Sequence, residues 1–260
     1  MQATVNGVRI AFAEQGSGTP LVFVHGFPLC RATWSKQVAA FKAQHRVITP
    51  DLRGLGESEA TPGPVTMQRY AEDVHALLQH LGVGPVVLAG HSMGGYVALA
   101  FAKAFPQMLK GLVLVATRAG ADTPEAAAGR RATAAQVQAQ GSSVVVDAMA
   151  PKMLDPANTD RQMREAVRGF MAPSKPEGVI SALLGMAERP DARSWLPHIH
   201  VPTLVITGAE DAVFPASESE AMAHAIPGAR LAILPHAGHL VAYEQADAFN
   251  RALAQWLHEI

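Results

Sequence analysis

The segment Val86-Val87-Leu88-Ala89-Gly90-His91-Ser92-Met93-Gly94-Gly95 constrains the fold of this chain more than any other. Its opening apolar run is short, begins with two β-branched residues and stops at a glycine, so it reads as a buried strand. Gly-x-Ser-x-Gly follows, and then a helix. A serine at so tight a strand-to-helix turn is held in strained backbone geometry, and Gly90 and Gly94 keep Cβ atoms out of the crowded turn. The Ser92 hydroxyl is then expected to project above the sheet as a nucleophile. The helix that follows brings free N–H groups and a positive dipole end to where negative charge develops in acyl transfer, with the Met93 N–H as one oxyanion donor. The pentapeptide alone also fits a plain Gly-rich turn; the strand before it and the helix after it favour the catalytic reading.

The rest of the chain repeats this unit. Short apolar runs alternate with longer helix-period stretches, which predicts an α/β fold: a mostly parallel sheet with helices on both faces. Strands are expected at residues 8–13, 21–24, 46–49, 86–89, 112–115, 203–207 and 231–234. Tyr70, Val74, Leu77, Leu78 and Leu81 share one face of a crossover helix that Gly82 is placed to end, and a final helix is expected to bury Phe249, Leu253, Trp256 and Leu257. From residue 119 to 188 strands vanish, and helix-forming segments are broken by Gly141, Pro151, Pro156, Pro173 and Pro176. Residues 143–146, Ser-Val-Val-Val, have strand composition but stand isolated among helical segments, so they are read as helix. The expected organisation is a core domain of residues 1–118 and 189–260 with a helical lid, residues 119–188, inserted in it.

Composition narrows the partners. The 260 residues are 49% hydrophobic and 17% charged, far from the signature of disorder, and 21 basic residues against 22 acidic ones leave no electrostatic footprint for nucleic acid. Residues 1–18 lack a basic segment followed by an apolar one, and no run reaches the ~20 apolar residues that span a bilayer. A soluble cytoplasmic protein acting on a small molecule is expected, without a membrane partner; oligomeric state is open. One cysteine, Cys30, excludes an internal disulfide.

At this point the chain resembles the α/β-hydrolase family along nearly its whole length. The resemblance implies an eight-stranded sheet. Phe23-Val24-His25-Gly26-Phe27-Pro28 resembles the family's oxyanion loop, which implies the Phe27 N–H as second oxyanion donor and a structural role for His25. Asp51-Leu52-Arg53-Gly54-Leu55-Gly56-Glu57-Ser58 resembles the family's turn after the next strand and is assigned no chemistry.

A serine hydroxyl needs a base, and the base needs an orienting acid; in this fold they follow in the order Ser, Asp or Glu, His. The strand at 203–207 leads into Gly208-Ala209-Glu210-Asp211, where the resemblance favours Asp211 and leaves Glu210 as the alternative. His239, in a Gly-His pair after the last strand, matches the family's base; His236 is read as a supporting or surface residue. His239 would take the Ser92 proton as the oxygen attacks an ester-like carbonyl, with Asp211 holding the imidazole tautomer and no metal or organic cofactor required. His198-Ile199-His200 lacks partners at ligand spacing and reads as a loop. Cys30 reads as an apolar filler. Arg118, beyond the strand at 112–115, either grips a substrate carboxylate or is a surface or lid-hinge arginine. Met149, Met153, Met163, Met171 and Met186 hint at an adaptable pocket wall, or are plain core.

Serine at the nucleophile position disfavours the dehalogenase and epoxide-hydrolase branches, which carry aspartate there. The leading reading is hydrolysis of a small carboxylic ester or lactone, as in the enol-lactonase branch. Perhydrolase or haloperoxidase-like chemistry, C–C bond hydrolysis, and ligand sensing by a receptor with the same fold remain alternatives.

Overall fold

The computed structural model describes residues 1–260. In chain order the elements are β1 (Gln2–Val5), β2 (Val8–Gln15), β3 (Thr19–Val24), α1 (Ser35–Phe41), β4 (His45–Pro50), α2 (Met67–His80), β5 (Val86–His91), α3 (Met93–Ala104) and β6 (Leu109–Val115). Then come α4 (Pro124–Gln140), α5 (Ser143–Met149), α6 (Arg161–Met171), α7 (Pro176–Ala187), β7 (Thr203–Gly208), α8 (Ala216–Ala225), β8 (Arg230–Leu234), α9 (Val241–Glu244) and α10 (Ala246–Leu257). All seven expected strands form, and residues 143–146 are helical. The eighth strand of the expected eight is β1, which the strand pattern does not locate: it pairs antiparallel with β2 across a two-residue turn, Asn6-Gly7, both at positive φ. Asn-Gly is the sequence signal for such a hairpin.

One sheet runs in the order β1-β2-β4-β3-β5-β6-β7-β8. From β3 onward every neighbouring pair is parallel, while β2 meets β4 antiparallel. The chain goes from β3 outward to β4 and then returns to the other side of β3 for β5. The strand order therefore reverses between β3 and β5, and open α/β sheets bind ligands at the C-terminal strand ends beside such a reversal.

Alternation along each strand divides the core in two. Val22, Val24, Val86, Leu88, Leu112 and Leu114 face α2, α3 and α8, whereas Leu21, Phe23, Val87, Ala89, Val113 and Val115 face Trp34, Phe41 and the helix α10. Helix α2 buries Tyr70, Val74, Leu77 and Leu78 as expected, and Gly82 lies just past it at φ 62°. In α10, Phe249, Leu253 and Trp256 are buried; Leu257, expected to be buried, is only half so because it lies in the last turn.

The helical stretch α4–α7 docks on the loops at the C-terminal ends of the parallel strands. Ser174 Oγ donates to Pro28 O (3.1 Å) after β3, Ser181 Oγ to Thr61 O (3.0 Å) after β4, and Leu240 N–H after β8 to Met153 O (2.7 Å). Met153 and Met171 are buried with Leu29, Leu154, Val167 and Leu240, and Met186 joins the main core, so these three methionines are core rather than pocket wall. No helix is long and apolar enough to cross a membrane.

Candidate active site

Ser92 stands between β5 and α3 with φ 51° and ψ −115°. An L-residue avoids that region, so its surroundings must hold it there. They do so from the next strand: Ser92 N–H donates to Val115 O (2.9 Å), and Ser92 O accepts from Thr117 Oγ1 (2.7 Å) and Gly95 N–H (2.9 Å). Gly94 permits the tight packing, because a Cβ there would lie 2.4 Å from Val24 O and 2.7 Å from His25 O. Met93 is the first residue of α3, where N–H groups have no intrahelical acceptor.

The loop after β3 lies against this turn; a Cβ on Gly26 would stand 3.0 Å from Ser92 Cβ. His25 braces the loop. Its Nε2 accepts from Leu52 N–H (2.9 Å), so the ring proton is on Nδ1, which donates to Gly26 O (2.8 Å). Burial pushes the His25 pKa down, consistent with a neutral, structural imidazole. Phe27 N–H has no acceptor within the protein.

The loops after β7 and β8 bring Asp211 to His239. Their backbones are joined where Glu210 N–H donates to Ala237 O (3.0 Å), and Ala237 N–H donates to the Glu210 carboxylate (3.0 Å). Glu210 is thereby a loop brace, and Asp211 is the acid that reaches the imidazole: Asp211 Oδ2 to His239 Nδ1 is 2.8 Å. The other carboxylate oxygen accepts from Val213 N–H (2.7 Å) and Phe214 N–H (3.0 Å). Burial works against the Asp211 charge, but His239 and these two amides outweigh it, and the pKa lies below the usual carboxylate range. With its proton on Nδ1, His239 presents an unprotonated Nε2 that is buried and accepts no hydrogen bond, from Ser92 Oγ or any other donor.

Three further groups position this pair. His91 Nε2–H donates to His239 O (2.9 Å), with the two rings 4.8 Å apart. Burial first, then the repulsion a protonated His239 would exert, push the His91 pKa down to about 3, so it stays neutral. Buried Glu244 accepts from Gly238 N–H (2.7 Å) and Asp155 N–H (3.0 Å), tying the His239 loop to the helical stretch. Phe214 meets the His239 ring edge-on at 5.5 Å. None was singled out from sequence; a histidine inside a buried motif was the one available hint.

Arg118 donates to Asp122 Oδ1 (2.6 Å), and its guanidinium lies 5.1 Å over Phe214. Cys30 is buried, and burial pushes its thiol up to about 11, as suits a filler. No hydrogen bond joins the His236 side chain to Ser92, Asp211 or His239; with Asp155 and Glu210 it forms the one grouping whose ligand atoms lie within 4.8 Å of one another, but Glu210 and Asp155 already accept backbone hydrogen bonds. His198 and His200 join no such group.

A doubly wound sheet whose reversal point holds a strained serine, two candidate amide donors and an Asp–His pair defines a hydrolase of the α/β type. The chain belongs to the alpha/beta hydrolase family, whose sequence profile matches residues 21–252. Among solved structures, an esterase from Thermogutta terrifontis with malate bound superposes with a TM-score of 0.96 at 41% identity, covering 100% of this chain and 98% of that one. The 3-oxoadipate enol-lactonase 2 of Acinetobacter baylyi is 29% identical across 96% of this chain and 93% of its own. A Mycobacterium tuberculosis protein named as a non-heme bromoperoxidase is 30% identical across 97% and 99%.

Proposed function

We propose that this hydrolase cleaves a small carboxylic ester or lactone through an acyl-enzyme on Ser92. The observation that carries the reading is the 2.8 Å Asp211–His239 contact, which leaves a buried, unprotonated Nε2 on a histidine packed against His91, the residue before the strained serine. As a substrate carbonyl enters, the Ser92 hydroxyl swings onto Nε2 and gives up its proton while its oxygen attacks. The oxyanion is held by the Phe27 and Met93 N–H groups. His239 then returns the proton to the leaving alcohol, and water activated by the same nitrogen releases the acid. Residues 119–188 act as a cap that closes the substrate pocket from above, and the esterase and enol-lactonase among the relatives support this choice of substrates.

The test is hydrolysis of p-nitrophenyl acetate, p-nitrophenyl butyrate and a small lactone panel by wild type and Ser92→Ala, with circular dichroism to confirm matching folds. Activity lost only in the variant supports the reading, and the panel ranks esters against lactones. Equal activity in both proteins, or none in either, refutes it.

A further inference from the structure

A cavity lies beside the candidate active site. It is a cleft of about 420 Å³ against α3, walled by Met67, Tyr96, Lys103, Arg118, Arg189 and Trp195, and it contains neither Ser92, Asp211 nor His239. Its inner wall nonetheless adjoins the site. Tyr96 N–H donates to Ser92 O (3.3 Å), and Arg118 covers the Phe214 ring that abuts His239.

The wall is positively charged. Lys103, Arg118 and Arg189 face a single lining carboxylate, Glu188. Behind them Asp122, whose side chain is 1% exposed, accepts from Arg118, Arg130 and Arg189 together. One carboxylate cannot neutralise three guanidinium groups, and burial strengthens the attraction for a further anion. The wall also holds buried donors without acceptors: the Tyr96 hydroxyl, Arg118 Nε and Arg189 Nε. Tyr96 and Arg189 are only 5% and 7% exposed, so an acid reaches these unpaired donors by a small shift of the cleft wall. Met67, Leu99, Ala100 and Trp195 make the remaining surface apolar.

We propose that this cleft binds the carboxylate of a small organic acid with an apolar body. Arg118 and the Tyr96 hydroxyl meet the carboxylate, Arg189 supports the Tyr96 ring from 4.1 Å, and Trp195 and Met67 receive the body. The acid is either the product after it has left Ser92 or a separate effector; the chemistry recognised is the same.

Calorimetric titration with hexanoate and its neutral isostere hexanamide tests the site on wild type, Ser92→Ala, Tyr96→Phe and Arg118→Met, the last keeping an apolar stem against Phe214. Hexanoate is expected to bind wild type and Ser92→Ala alike, about 10-fold more weakly to Tyr96→Phe and at least as weakly to Arg118→Met, while hexanamide binds poorly throughout. No binding to wild type, equal binding of the amide, or unchanged affinity in both variants overturns the proposal. Inhibition of p-nitrophenyl acetate hydrolysis separates the sources: competitive for an acid that shares the Ser92 pocket, non-competitive for an effector, and weakened by both variants in either case. Inhibition that survives both variants places the acid elsewhere and also overturns it. A wild type that binds hexanoate through Arg118 yet hydrolyses nothing would sink the Ser92 reading and leave the cleft standing.

Discussion

Replacing Ser92 by glycine should make the protein more stable while destroying its activity. Ser92 is held at φ 51°, ψ −115° by bonds from Val115, Thr117 and Gly95. A side chain in so sparsely populated a region costs about 1–3 kcal/mol. Glycine removes that strain but loses roughly 0.5–1 kcal/mol more chain entropy on folding. Alanine is the control, because it keeps the Cβ and removes only a hydroxyl that makes no hydrogen bond in the protein. Ser92→Gly should therefore exceed Ser92→Ala by about 1 kcal/mol, and for a domain of this size that raises Tm by about 2–4 °C. Urea unfolding and scanning calorimetry on both variants and wild type measure the difference, with ester hydrolysis abolished in both. A glycine variant no more stable than the alanine variant would refute the argument that the serine turn stores strain.

Asp211→Asn should preserve the fold and lower kcat by about 10⁴-fold, because an amide leaves His239 in the wrong tautomer; kinetics on p-nitrophenyl acetate checks this. Gly94→Ala should destabilise by about 1–3 kcal/mol, since its Cβ meets the carbonyls of Val24 and His25 rather than movable side chains, and activity should fall as the Phe27 and Met93 N–H groups are pushed apart. Stability should also decline in acid. His91 binds a proton near pH 6.5 in the unfolded chain but only near 3 in the folded one, so its contribution is complete above 6.5 and shrinks as pH falls towards 3. The loss is about 2 kcal/mol by pH 5 from this group alone. Buried His25, also shifted down, adds in the same direction, and the lowered pKa of Asp211 extends the loss to more acid pH. Denaturant unfolding between pH 4 and 8 on wild type and His91→Gln would show a flatter slope in the variant; parallel slopes would count against the assignment.

Period and punctuation made the sheet legible in the chain itself. A strand buried on both faces is a short apolar run whatever its neighbours, and Gly82 and Gly141 end helices through their own backbone freedom, each at positive φ. The same holds for the serine turn, whose meaning lies within ten consecutive residues. Hairpin β1–β2 is equally local, because its turn is the pair Asn6-Gly7. Other features have no local signature. Whether Glu210 or Asp211 serves His239 depends on how two loops from different strands meet, and both acids occupy the same loop. His91 and His239 lie 148 residues apart, Asp155 and Glu244 89 apart, and Arg189 and Asp122 67 apart. Such contacts form only once strand order and helix docking have placed distant segments side by side. Backbone propensity and hydrophobic period are properties of neighbouring residues, and so the sequence by itself determined the layers and the serine turn. The choice of acid, the bracing of the base and the charged cleft beside it were decided by tertiary structure, because each depends on distances between groups that the chain leaves far apart.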